Sequence, residues 1–115
     1  MRHEESKLQI ECVRWFRYNH SKHYHLLFAV PNGGKRSLLT AKILKAEGVL
    51  SGVSDLILLK PSKEHHGLCI EMKIKPNKQS AFQKDWQVNV EKEGYKYIVC
   101  YSIDDFITQI NEYLC

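Results

Sequence analysis

Asp55 opens the apolar run Leu56-Ile57-Leu58-Leu59, and Glu71 and Lys73, with Met72 between them, close a second run that begins Gly67-Leu68-Cys69-Ile70. Two carboxylates suit a hard divalent cation such as Mg²⁺ or Mn²⁺, with water filling the remaining positions. Such an ion activates a water and stabilises the charge that develops on a phosphate during phosphodiester hydrolysis. The amine of Lys73 could orient or deprotonate that water, or neutralise charge in the transition state. The plainer account is a solvated strand face with Asp55 as a cap, because motifs this short recur by chance.

The elements must bring these groups together. Each run is short, rich in branched residues and bounded by chain breakers, so each reads as a core strand. Between them Lys60-Pro61-Ser62-Lys63-Glu64-His65-His66 is polar and holds a Pro, which marks a hairpin loop. Antiparallel pairing sets the start of the first strand beside the end of the second, so Asp55 approaches Glu71 and Lys73. The latter two share a face because they lie two residues apart. Convergence of two carboxylates and an ammonium in apolar surroundings is costly unless they pair or bind a metal.

The rest of the chain supplies cover. A helix is expected from about Glu4 to Asn19, with Leu8, Cys12, Trp15 and Phe16 on one face. At 100° per residue Glu5 heads that face and Glu11 points away. Glu4 and Glu5 also suit the positive end of the helix dipole. Asn19 to His25 reads as a polar loop in which His20, His23 and His25 are exposed. Leu26 to Val30 reads as a strand, ended by the turn Pro31-Asn32-Gly33-Gly34. A helix from about Ser37 to Glu47 follows, stopped by Gly48, with Leu38, Leu39, Ile43 and Leu44 as its packing face. After the hairpin come a helix from about Gln79 to Glu93, with Phe82, Trp86 and Val90 on one stripe, and a strand from Tyr95 to Tyr101. Ser102 is the expected N-cap of a last helix carrying Phe106, Ile107, Ile110, Tyr113 and Leu114.

Gly52-Val53-Ser54-Asp55, Ile70-Glu71-Met72-Lys73 and Gln79-Ser80-Ala81-Phe82-Gln83-Lys84-Asp85-Trp86 resemble the PD-(D/E)XK nuclease superfamily, and most of all its VRR-NUC (virus-type replication-repair nuclease) branch. The likeness takes in Pro31-Asn32-Gly33-Gly34 and Glu47-Gly48-Val49, and so covers nearly the whole chain. Ser54 departs from the Pro of the superfamily's name. Ile74-Lys75-Pro76-Asn77-Lys78 replaces a more usual Gly-containing turn. The resemblance implies a metal held by Asp55, Glu71 and the Met72 carbonyl. It also implies a first-helix Glu four residues before a Gln, a spacing that Glu5 and Gln9 match, with Glu4 and Glu11 as alternatives. Lys73 would serve the attacking water, supported by Gln83. Asn32, Lys35 and Arg36 would border the cleft and contact a DNA backbone.

The expected fold class is α/β, in the order αβαββαβα: a restriction-endonuclease-like core with a mixed sheet between helices. The step from the second hairpin strand through Gln79–Glu93 should join parallel strands. One domain, residues 1–115, is expected at this length. Hydrophobic content of 43% and charged content of 26% fit a globular protein. No apolar run approaches the ~20 residues of a membrane span, and the N-terminus lacks the apolar region of a secretory signal. The expected place is therefore the cytoplasm of a bacterium or a virus-infected host cell. Cys12, Cys69 and Cys100 sit in apolar patterns and read as reduced core residues, and the scattered spacing of all four Cys disfavours zinc. A net charge of +4 and a pI near 8.9 allow nucleic-acid binding without demanding it.

The reading is a Mg²⁺- or Mn²⁺-dependent DNA endonuclease acting on branched or junction DNA as a Holliday-junction resolvase would. A homodimer is expected, because each chain holds one such set of groups and a two-fold pair matches two equivalent strands. Trp15, Tyr18, Tyr113 and Leu114 are candidates for its interface. The alternatives are a non-catalytic nucleic-acid-binding module of the same fold and a sequence-specific restriction-type enzyme.

Overall fold

The computed structural model describes residues 2–31 and 37–115; Asn32, Lys35 and Arg36 lie outside them. Within the described residues, five helical segments and four strands follow one another. They are α1 (Arg2–Asn19), a 3₁₀ segment (Ser21–Leu26), β1 (Leu27–Ala29), α2 (Leu38–Ala46), β2 (Leu56–Leu58), β3 (Leu68–Met72), α3 (Ala81–Lys92), β4 (Lys96–Cys100) and α4 (Ile103–Leu114). The expected polar loop after α1 is thus wound into 3₁₀ turns, started by His23 N–H bonding to the His20 carbonyl.

The sheet has the order β1-β2-β3-β4. β1 pairs β2 and β2 pairs β3 antiparallel, whereas β3 and β4 run parallel. This is the mixed sheet expected of the fold, with the hairpin at its centre and the parallel pair joined through α3. The pairing Leu56↔Ile70↔Ile98 fixes which side chains share a face. Leu56, Leu58, Leu68, Ile70, Met72, Ile98 and Cys100 all turn to one side. There they meet Leu8, Cys12 and Phe16 of α1 and Phe106, Ile110 and Tyr113 of α4 in one buried cluster. Each buried aliphatic or aromatic side chain stabilises the fold by about 1.5–3 kcal/mol relative to exposure. α4 starts as its sequence demands: Ser102 Oγ accepts from Asp105 N–H at 3.1 Å.

The opposite side is differently covered. Cys69, Glu71 and Tyr97 face it, under α3, whose Trp86 ring meets Tyr97 edge to face at 6.2 Å. No residue of α2 or α3 is fully buried. Three expectations are corrected here. The proposed packing face of α2 is exposed, at 74% for Leu38 and 68% for Leu39, because the helix lies away from the sheet. Phe82 does not pack under α3 either, being 64% exposed on the first turn. Of the expected interface residues, Tyr113 is buried, and Trp15 and Leu114 are partly buried against the core. Trp15 meets Phe106 edge-on, and Tyr113 is buried with its hydroxyl donating to the Lys60 carbonyl at 2.6 Å. Cys12, Cys69 and Cys100 are free and buried, as read from the sequence. Among the described residues no helix is long and apolar enough to cross a membrane.

Candidate active site

The hairpin does what its pattern requires. β1 and β2 pairing continues past the strand as Val30 N–H bonds the Asp55 carbonyl at 2.9 Å. Ser54, wholly buried, anchors the approach with its hydroxyl donating to the Leu56 carbonyl at 3.1 Å. Asp55 therefore leaves the strand on the side of Glu71. Its Oδ2 accepts from the Met72 N–H at 2.7 Å, a charge-assisted bond that ties the first strand's acid to the second strand's backbone.

Glu71 is 2% exposed. Its Oε2 accepts from Gln83 Nε2 at 2.8 Å and lies 3.9 Å from Lys73 Nζ. Its Oε1 is buried and has no hydrogen-bond partner among the described residues. Burial first, and then the Asp55 carboxylate, push its acid up to about 8, against the pull of Lys73. Glu5, at the start of α1, adds to the same negative field. A buried polar atom without a partner is uncommon in a folded protein and calls for an explanation.

Gln83 is placed by a device that the residue pattern carries but that was not read from it. Ser80 caps α3: its hydroxyl accepts from Gln83 N–H at 3.2 Å, and Gln83 Oε1 accepts from Ser80 N–H at 2.8 Å. This capping box fixes the amide by its oxygen and leaves its nitrogen for Glu71. The signal was Ser-X-X-Gln. Gly52 is the second residue whose role was missed. Its φ is +90°, and a Cβ there would lie 2.6 Å from the Phe82 carbonyl carbon and 2.9 Å from Phe82 Cβ. Only glycine lets the loop before Asp55 lie this close to the start of α3.

These pieces line one pocket of about 260 Å³, with Glu5, Asp55, Glu71, Lys73, Gln83, Ser80, Gly52 and Phe82 in its walls. The sequence-predicted Glu5, Asp55, Glu71, Lys73 and Gln83 thus share one cavity. Glu4 and Glu11 are exposed and are not among its walls. Asn32, Lys35 and Arg36 lie outside the described residues.

The model of the VRR-NUC domain family matches residues 1–104. This chain belongs to the VRR-NUC family. A solved structure described as a VRR_NUC domain protein superimposes with a TM-score of 0.83 at 27% identity, covering 95% of this chain and 86% of that one. Among curated proteins no match was found. The VRR-NUC fold is restriction-endonuclease-like, and this chain is a nuclease-type domain of that fold. Nuclease domains of this kind usually use divalent metals. Among the described residues no group of three or more His, Cys, Asp or Glu side chains is gathered to hold an ion by itself. Two carboxylates, the unpartnered Oε1 of Glu71 and room for water nevertheless fit a hard cation that keeps much of its hydration, as Mg²⁺ does.

Proposed function

We propose that this chain is a divalent-metal-dependent DNA endonuclease of the cytoplasm that hydrolyses phosphodiester bonds in branched or junction DNA. The observation that carries the reading is the convergence of Asp55, Glu71, Lys73 and Gln83 in one pocket, with Glu71 Oε1 buried and without a hydrogen-bond partner among the described residues. Asp55 and Glu71, with Glu5 and the Met72 carbonyl, would hold Mg²⁺ or Mn²⁺. When bound, that ion supplies Lewis-acid stabilisation of phosphate charge and a more acidic water. Lys73, 12% exposed in its side chain, would orient the attacking water and offset the charge that develops on the phosphate. Gln83 holds the Glu71 carboxylate in one orientation, so that geometry is set before substrate arrives. Asn32, Lys35 and Arg36 are proposed to contact the DNA backbone.

One such pocket per chain makes one cut, so two cuts in a branched substrate call for a homodimer. With Tyr113 buried and Trp15 and Leu114 packed against the core, the exposed Tyr18 and Ile10 of α1 are the better candidates for its interface. The test is incubation with Mg²⁺ or Mn²⁺ and a panel of linear, flapped and four-way DNA, with the mass followed by light scattering. Asp55→Asn should abolish cleavage while folding and DNA binding persist. Cleavage by that variant at the wild-type rate would refute the site.

A further inference from the structure

The pocket opens into a second depression on the same face. Ser51 and Phe82 line both. Beyond them Leu44, Lys45, Val49 and Leu50 surround a groove of about 640 Å³. That is ample for a flat ring, since sites for small ligands start at about 300 Å³. Phe82 stands at the boundary with 64% of its surface in water. Its backbone is held against Gly52, so the ring is presented at the pocket's rim rather than folded under α3. Lys45 forms no ion pair among the described residues, and its charge is available to a phosphate.

We infer that this groove takes an unpaired nucleobase of the strand whose phosphate enters the pocket, with the base stacked on Phe82 and a flanking phosphate at Lys45; the inference rests on the nuclease reading above. Two observations choose this occupant. The groove is continuous with the candidate active site, so a nucleotide next to the bound phosphate meets it. It also pairs an apolar floor with a cation, which matches a base and its backbone. Stacking on an aromatic ring accepts any base, because every base has a π-face. A base inside a duplex has both faces covered and must first be extruded at a cost of a few kcal/mol. The groove therefore favours DNA with unpaired nucleotides beside the cut over continuous duplex.

The probe is an oligonucleotide with 2-aminopurine in an unpaired stretch, compared with the same base in full duplex, in EDTA so that binding is read without cleavage. Wild-type protein should change the unpaired probe's emission on binding and leave the duplex probe nearly unchanged. Phe82→Ala should lose that change and bind the unpaired probe roughly tenfold more weakly, as stacking losses run. Phe82→Tyr should restore both. An unaltered emission change with Phe82→Ala would overturn the inference. So would a fall in mass of Phe82→Ala by light scattering, which would make the exposed apolar residues of α2 and Phe82 a contact between copies. Cleavage with metal, measured separately, tells the two readings apart. Cutting by wild type without any emission change overturns the groove and spares the nuclease. An emission change without cutting supports the groove and refutes the nuclease.

Discussion

Burial and the neighbouring Asp55 carboxylate hold the Glu71 acid protonated up to about pH 8 in the metal-free protein, against an ordinary value of 4.5. The sign of the consequence follows from proton counting. Between those values the folded chain keeps a proton that the unfolded chain releases. The contribution of Glu71 to stability is therefore full below pH 4.5 and is lost as pH rises through about 8. The melting temperature in EDTA should fall across that window, and Glu71→Gln should flatten the fall, as scanning calorimetry at several pH values can read. Lys73 makes a different case. While charged it has no lone pair for a metal, so Lys73→Ala should lose turnover and keep Mn²⁺ binding in a calorimetric titration. Complete loss of Mn²⁺ binding in a folded variant would make Lys73 an organiser of the site instead. That Asp55 lies beside Glu71 and Lys73 was legible in the sequence, because antiparallel pairing sets the start of the first hairpin strand against the end of the second. Gln83 entered the site only through family resemblance, since Ser-X-X-Gln marks it as a partner of the helix cap and not as a site amide.

Elements set the distances between those residues, and the turns matter more than the strands. Gly52 and Gly48 both have positive φ, +90° and +109°, but only Gly52 lies against another backbone. Gly48, just past α2, has nothing within 4 Å of where a Cβ would stand. Gly48→Ala should cost only its backbone conformation, about 1 kcal/mol or a little more. Gly52→Ala should cost that and a clash with Phe82, and the start of α3 should shift with it. Urea denaturation of the pair isolates the clash as the difference between them; equal losses would show that α3 does not depend on Gly52. The sequence marked Gly52 as a breaker before a strand, but a close approach across thirty residues leaves no local trace. The α2 packing face failed for a related reason. Its apolar spacing is helical, yet periodicity reports that a face is apolar and not what it meets.

At the scale of the molecule, the order of elements, the antiparallel hairpin and the parallel return were all legible from alternation, breakers and crossover rules. The sidedness of the core was not. Leu, Ile, Phe and Cys from the sheet, α1 and α4 form the buried cluster, whereas α2 and α3 contribute no fully buried residue. Amide hydrogen exchange should follow that division. Amides of β3 and β4 should open only with global unfolding, and those of α2 through much cheaper local openings. Equal protection of α2 and β3 would contradict it. The same asymmetry bears on how such a domain can change over generations. Substitutions at exposed positions of α2 and α3, such as Leu38, Leu39 and Phe82, draw on little of the stability that keeps the chain folded, so those positions can vary while the cluster under α1 and α4 stays fixed. Changes on that face are then reachable in single steps from this scaffold, without a prior stabilising change.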